Sequence, residues 1–151
     1  MSRTKREVNC MNLDSKTFID TNILVYSINK DSSKYEIAKR LLIEHCKNGT
    51  AFLSAQNLAE FSFVVTEKDK LISPGEASQI VQSFIETMTV VAYHEGDVLR
   101  ANQIKQSYGV PFYDALLVAV MEKAKIFTIV TNNERDFKKV NWLEVVNPFR
   151  G

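Results

Sequence analysis

Residues 113–130, with the sequence YDALLVAVMEKAKIFTIV, decide the fold class of this chain. The stretch 115–121 is apolar on nearly every face of a helix, and a helix that is apolar all round is buried. The run 126–130 that follows is short, apolar and β-branched, which is typical of a buried strand. A buried helix that leads into a buried strand predicts an α/β protein whose helices cover the sheet.

The same alternation of helices and short strands extends toward both ends of the chain. Further strands are predicted at 17–19, 50–53, 89–92 and 142–146, with helical periodicity between them. No two strands are joined by the two-residue turn of a hairpin, so we expect them to run parallel. The stretch 23–26 is left open, because periodicity cannot separate a strand from a helix in so short a run.

Two helix starts are predicted from capping-box spacing, in which a serine precedes a glutamate by three residues. They are Ser33 with Glu36 and Ser73 with Glu76, and a proline at the first helical position strengthens the second. Residues 1–16 are polar and basic with few apolar anchors. We therefore predict a mobile leader at 1–16 and one domain at 17–151.

Composition narrows the class of protein. The 151 residues suffice for one domain with a core, and 45% of them are hydrophobic. No apolar run approaches the roughly 20 residues that cross a bilayer, and no secretory h-region follows the N-terminus. We expect a cytoplasmic protein without membrane association. The two cysteines exclude a disulfide framework, and the net charge of +1 neither indicates nor excludes nucleic acid.

The absence of several motifs excludes some classes of enzyme. The sequence contains no glycine-rich phosphate loop and no G-x-S-x-G elbow. His45 and His94 are the only histidines, and neither lies near a plausible nucleophile in the sequence. A water molecule activated by a metal ion needs no histidine, so the elimination favours carboxylate–metal chemistry.

Polar residues follow the predicted strands, where open parallel sheets bind their ligands. Most are oxygen donors, which suit Mg²⁺ or Mn²⁺ better than Zn²⁺ or Cu²⁺. Asp114 joins them because an acid at the start of a buried helix must be paired, capping or metal-bound. The polar residues after the strands include Thr21, Gln56 and Asn57, and the candidates for the site among them are Asp20, Asn22, Glu60, Thr131, Asn133 and Asp136.

Each acid also has a purely structural interpretation. Asp20 could cap the segment that follows it, and Glu60 could belong to a polar stripe with Gln56 and Glu67. Asp114 near a helix start interacts well with the helix dipole, and Asp136 could be an ordinary loop acid. No single acid decides between structure and function.

Four sequence elements together resemble the PIN-domain family, and most of all its small VapC-type toxin ribonucleases. They are FIDTN at 18–22, AE at 59–60, YDALLVA at 113–119, and TNN at 131–133 followed by Asp136 and Phe137. The elements occur in the order and with the spacing of the family, and the resemblance runs over residues 18–149. It implies a three-layer α/β/α fold with a five-stranded parallel sheet of order 3-2-1-4-5.

The resemblance also implies cleavage of single-stranded or looped RNA that depends on Mg²⁺ or Mn²⁺. Asp20, Glu60 and Asp114 would hold the metal and Asp136 would complete the site. Orientation of ligands or water would fall to Asn22, Thr131 and Asn133. Many members carry an acid where this chain has Asn133, which puts a second metal position in doubt. The water's proton would pass to Glu60 or Asp136.

RNA requires cations near an acidic centre, and the candidates flank the fourth strand. They are Lys123, Lys125, Arg135, Lys138 and Lys139, whose alternative is a role as solvated surface residues. The resemblance further implies a homodimer and a small cognate antitoxin. Two alternatives are a housekeeping RNA-processing nuclease and a non-catalytic module that binds RNA or protein.

Overall fold

Five short parallel strands form one sheet at the centre of the molecule. The structure, a computed structural model, describes Leu13 and residues 15–150. The strands are β1 (Thr17–Ile19), β2 (Ala51–Ser54), β3 (Thr89–Val91), β4 (Thr128–Val130) and β5 (Glu144–Val146). Their order is β3-β2-β1-β4-β5, with Phe18 of β1 opposite Phe52 of β2 and Ile129 of β4. The predicted parallel sheet and its 3-2-1-4-5 order are confirmed.

Helices connect the strands throughout. They are α1 (Thr21–Tyr26), α2 (Tyr35–Asn48), α3 (Ala55–Phe63), α4 (Pro74–Thr87), α5 (Glu95–Tyr108), α6 (Phe112–Ala124) and α7 (Glu134–Phe137), and a π-helix at Val64–Lys68 continues α3. The open stretch 23–26 is therefore helical. No helix in the described part of the chain is long and apolar enough to cross a membrane.

Each face of the sheet is covered by its own hydrophobic core, because successive strand residues point to opposite sides. Phe18 and Ile129 pack with α5, α6 and α7, whereas Ile19 and Val130 pack with α1 to α4. All seven residues of 115–121 are buried, as their apolar character predicts. The result is the predicted three-layer α/β/α arrangement.

Helix α4 begins as predicted, but α2 does not. The Ser73 hydroxyl accepts a hydrogen bond from the Glu76 backbone N–H at 3.1 Å, and the Glu76 carboxylate accepts one from the Ser73 N–H at 3.2 Å. The predicted capping box at Ser33 is wrong, because the chain before α2 forms a turn in which Ser32 accepts from the Lys34 N–H. Helix α2 then starts at Tyr35 without a side-chain cap.

The predicted leader lies mostly beyond what the structure describes, since residues 1–12 and 14 fall outside the described residues. The Leu13 carbonyl accepts hydrogen bonds from Asn48 and Thr50. The division into a mobile leader at 1–16 and a domain at 17–151 stays a prediction.

The two serines provide a matched test of the capping assignments. Ser73→Ala removes an acceptor for a helix N–H and should lower the free energy of unfolding by about 1 kcal/mol. Ser33→Ala removes no cap and should leave it unchanged within roughly 0.5 kcal/mol. Urea unfolding followed by circular dichroism measures both. Equal losses in the two variants would contradict the assignment.

Candidate active site

An acidic cleft of about 350 Å³ lies at the carboxyl ends of the central strands. In the strand order, β1 has β2 on one side and β4 on the other, so the chain's direction of winding changes between β1 and β4. Such a switch point leaves a crevice beyond the strand ends. Among the residues that line the cleft are Asp20, Asn22, Glu60, Asp114 and Asn133.

Asp20 both caps helix α1 and lines the cleft. Its carboxylate oxygen Oδ1 accepts from the Thr21 N–H at 2.8 Å and so caps α1. The other oxygen, Oδ2, accepts from the Thr131 hydroxyl at 2.7 Å and from the Asn22 amide at 3.1 Å. These bonds hold the carboxylate of Asp20, a residue that is 8% exposed, between the ends of β1 and β4.

Glu60 is held by neighbours on its own helix and on α1. Gln56, one turn earlier in α3, donates its side-chain amide to Glu60 Oε1, and the Thr21 hydroxyl lies 3.3 Å from Oε2. The same Gln56 amide donates to the Tyr113 carbonyl at 3.1 Å, which ties α3 to the first turn of α6. Gln56 and Glu60 are therefore paired neighbours in the polar stripe considered above, and Glu60 also lines the cleft.

Asp114 lies in the first turn of α6 and shares a neutral partner with Asp136. The Asn133 amide donates to Asp114 Oδ2 at 3.3 Å and to Asp136 Oδ2 at 3.1 Å. The Asn133 backbone N–H donates to the Thr131 hydroxyl at 2.9 Å, and this hydrogen bond holds Asn133 in place. The asparagine that departs from the family pattern therefore bridges two carboxylates by hydrogen bonds.

Burial and mutual repulsion weaken the acids of this site. Burial raises the pKa of Asp20 to about 6, with Glu60 adding to the rise. The pKa of Asp114 is raised to about 7 by burial and by the charges of Asp20, Asp136 and Glu60. By contrast, the Asn133 hydrogen bond and the Lys139 ammonium lower the pKa of Asp136. Two carboxyls with raised pKa values in one cleft mark a place that favours added positive charge.

The oxygen donors that line the cleft are of the chemical kind that a hard divalent cation prefers. Carboxylate and amide oxygens are the ligands that magnesium prefers, and Mg²⁺ usually keeps several of its waters. Within residues 13 and 15–150, no three His, Cys, Asp or Glu side chains are arranged to hold an ion directly. The protein therefore supplies oxygen donors and negative charge around the cleft rather than a closed cage of protein ligands.

Three residues that position the acids were not predicted as part of the site. Thr21 contacts Glu60, and the Asn57 amide donates to the Thr21 hydroxyl at 3.0 Å. Gln56 bridges Glu60 and α6, as described above. Thr21, Gln56 and Asn57 are all among the polar residues that follow a strand in the sequence, but that position alone does not show which of these residues contact the acids.

The predicted cations fall into two groups. Lys139 lies 3.2 Å from Asp136 and Lys138 lies 3.3 Å from Glu134, while Arg135 is exposed in α7 next to Asp136. Lys123 and Lys125 do not flank the acidic centre, contrary to the prediction. They lie at the far end of α6, about 14 to 17 Å along the helix axis from Asp114, and Lys123 pairs with Asp97.

Comparison with known proteins accounts for this architecture. A family model described as the PIN domain matches residues 17–143. The chain belongs to the PIN-domain family. It is 30% identical over 125 residues to Ribonuclease VapC2 of Rickettsia felis, which covers 81% of this chain and 90% of that protein. The predicted resemblance to VapC-type PIN proteins is confirmed.

Solved structures share the PIN fold. VapC20 of Mycobacterium tuberculosis, described as a sarcin-ricin loop cleaving toxin, superposes with a TM-score of 0.68 at 20% identity, over 87% of this chain and 99% of that one. VapBC2 of Rickettsia felis, bound to a DNA fragment from its promoter, gives 0.65 at 24% identity, over 87% and 97%. At these low sequence identities, the superpositions show that the proteins share a fold.

The raised pKa of Asp114 makes a prediction about stability. The folded chain holds a proton there up to about pH 7, whereas the ordinary value is 3.8. Its contribution to stability is therefore present at low pH and is lost as the pH rises through about 7. In metal-free buffer at about pH 8, Asp114→Asn should be more stable than wild type by on the order of 1 kcal/mol, a gain absent near pH 4.

Thermal unfolding at both pH values measures this difference, with the exposed Asp31→Asn as the matched control. Added MnCl₂ should raise the melting temperature of wild type and of Asp31→Asn more than that of Asp114→Asn, because a bound ion stabilises only the state that binds it. A destabilised Asp114→Asn at the higher pH would argue against repulsion in the cleft.

Proposed function

We propose that this PIN-domain protein is an endoribonuclease that hydrolyses RNA phosphodiester bonds with the help of Mg²⁺ or Mn²⁺. The observation that carries the proposal is the cleft in which Asp20, Glu60 and Asp114 lie together at the switch point of the sheet. The similarity to Ribonuclease VapC2 supports RNA as the substrate.

Asp20, Glu60 and Asp114 would hold the cation, in part through water that the ion keeps, and Asp136 would complete the site. When bound, the ion supplies positive charge to a phosphate oxygen and lowers the pKa of an attacking water. Thr131 and Asn22 fix the Asp20 carboxylate through the bonds described above. Asn133 bridges Asp114 and Asp136 through its side-chain amide, and a neutral amide at this position favours one cation over two.

Glu60 is the better candidate to accept the proton from the attacking water. It lines the cleft, whereas Asp136 does not. Asp136 is also engaged by Lys139 and Asn133, which lower its pKa and make it a weaker base. A general base must lie within hydrogen-bond reach of the proton that it takes. Of the two residues that the sequence left open, we therefore propose Glu60.

Metal-dependent cleavage tests the proposed chemistry. Purified protein should cut a mixed RNA pool with MgCl₂ or MnCl₂ and fail to do so with chelator. Asp20→Asn should lose about 100-fold or more of this activity while it stays folded, because asparagine is also a good N-cap. Asp31→Asn should cut like wild type. Cleavage in chelator, or by a folded Asp20→Asn variant, would defeat the site assignment.

We further propose that the chain acts in the cytoplasm as the toxin of a toxin–antitoxin pair, as a homodimer and with a small antitoxin. Similar structures include a toxin–antitoxin complex from Klebsiella pneumoniae and VapBC from Salmonella typhimurium bound to DNA. An apolar groove of about 390 Å³ between α2 and α4, lined by Leu42, Ile43, Phe84 and Met88, offers surface to a protein partner.

Expression in a bacterial host tests the toxin role against a housekeeping nuclease. Wild type should arrest growth, the Asp20→Asn variant should not, and co-expression of the product of a neighbouring small gene should restore growth. Size-exclusion chromatography with light scattering should show a dimer that becomes a larger complex with that product. Normal growth of cells that contain active nuclease would favour the RNA-processing alternative.

A further inference from the structure

The helix that carries Glu60 changes its geometry before it ends. Helix α3 stops at Phe63 and the chain continues as a π-helix over Val64–Lys68. The backbone bond from the Asp69 N–H to the Val64 carbonyl, 2.8 Å long, spans five residues instead of four. A π-turn of this kind is rare and is found frequently at functional sites.

The π-turn changes which side chain faces the cleft. In an α-helix, residues seven apart share one face, so the face of Glu60 would continue at Glu67. The extra residue of the π-turn moves Lys68 into that place. Glu60, Val64 and Lys68 line the cleft, and the exposed Glu67 does not. An acid is therefore replaced by a base on the wall of an acidic cleft.

Lys68 differs in its electrostatic position from the other lysines near the site. It is the one cation among the described residues that line the cleft, beside Asp20, Glu60, Asp69 and Asp114. Lys139 and Lys138 are engaged by carboxylates, but Lys68 forms no ion pair within 4 Å in the part of the chain that the structure describes. Its ammonium group is free to meet an anion that enters the cleft.

We propose that Lys68 binds a phosphate of the RNA that occupies the cleft and is a substrate-binding residue of this enzyme. The inference rests on the proposed ribonuclease function. A nucleic acid that approaches four carboxylates is repelled by them, and an unpaired lysine on the same wall offsets part of that repulsion. The π-turn explains why sequence spacing alone points to Glu67 instead.

Salt-dependent RNA binding tests this role. Binding is measured by fluorescence anisotropy of a labelled oligouridylate in the Asp114→Asn background, so that the RNA is not cut. Loss of one phosphate contact should reduce the slope of log K against log salt by about 0.7, and weaken binding roughly threefold to tenfold at low salt. Lys68→Ala should show this change and Lys68→Arg should not. Lys47→Ala, an exposed lysine at the end of α2, is the matched control.

A charge exchange separates position from net charge. The double variant Glu67→Lys/Lys68→Glu keeps the composition, so only presentation by the π-turn distinguishes it from wild type. It should bind RNA more weakly than Lys68→Ala, because it adds an acid to the cleft wall. In the otherwise wild-type enzyme, Lys68→Ala and the charge-exchange variant should each raise KM more than they lower kcat.

The outcomes distinguish this inference from the proposed function. An enzyme that cleaves RNA but has the same slope and affinity with Lys68→Ala, or with the exchange variant, would overturn the role of Lys68 alone. A wild-type chain that neither binds nor cleaves RNA would overturn the ribonuclease function and this inference with it. A loss of binding that Lys47→Ala reproduces would show a general charge effect and would likewise overturn a specific contact.

Discussion

The parallel pairing of β1 with β4 is the constraint on which the candidate site depends. It places Asp20, at the end of one strand, beside Thr131, at the end of a strand more than 100 residues later, and a hydrogen bond of 2.7 Å joins them. The two hydrophobic cores that cover the sheet stabilise this pairing. The carboxylates in the cleft repel one another, and the packing of the two cores holds them together against this repulsion.

The sequence predicted the elements whose signal is local and strong. The apolar helix 115–121, the alternation of strands and helices and the capping box at Ser73 all depend on residues close in sequence. Asp20, Glu60 and Asp136 were predicted because parallel sheets gather the residues that follow their strands at one edge. Asp114 was predicted because an acid at the start of a buried helix must be paired, capping or metal-bound. Family resemblance then added the strand order, which patterns of hydrophobicity do not contain.

The remaining features depend on geometry that no local pattern encodes. Gln56 reaches Glu60 and the Tyr113 carbonyl only because α3 and α6 meet at a particular angle and height. Lys123 and Lys125 are near β4 in sequence, but they precede it, and the acids gather where strands end. The turn before α2 shifts the start of the helix to Tyr35, so that no serine side chain caps it.

The π-turn at Val64–Lys68 has a consequence for how such a protein diverges. Which charge faces the cleft is set there by the number of residues in one turn, as well as by their identity. A gain or loss of a single residue can therefore exchange a base for an acid on that wall, with every neighbouring side chain unchanged. Relatives that differ by one-residue gaps in this turn would then differ in the charge on the cleft wall, although their acidic residues align in every position.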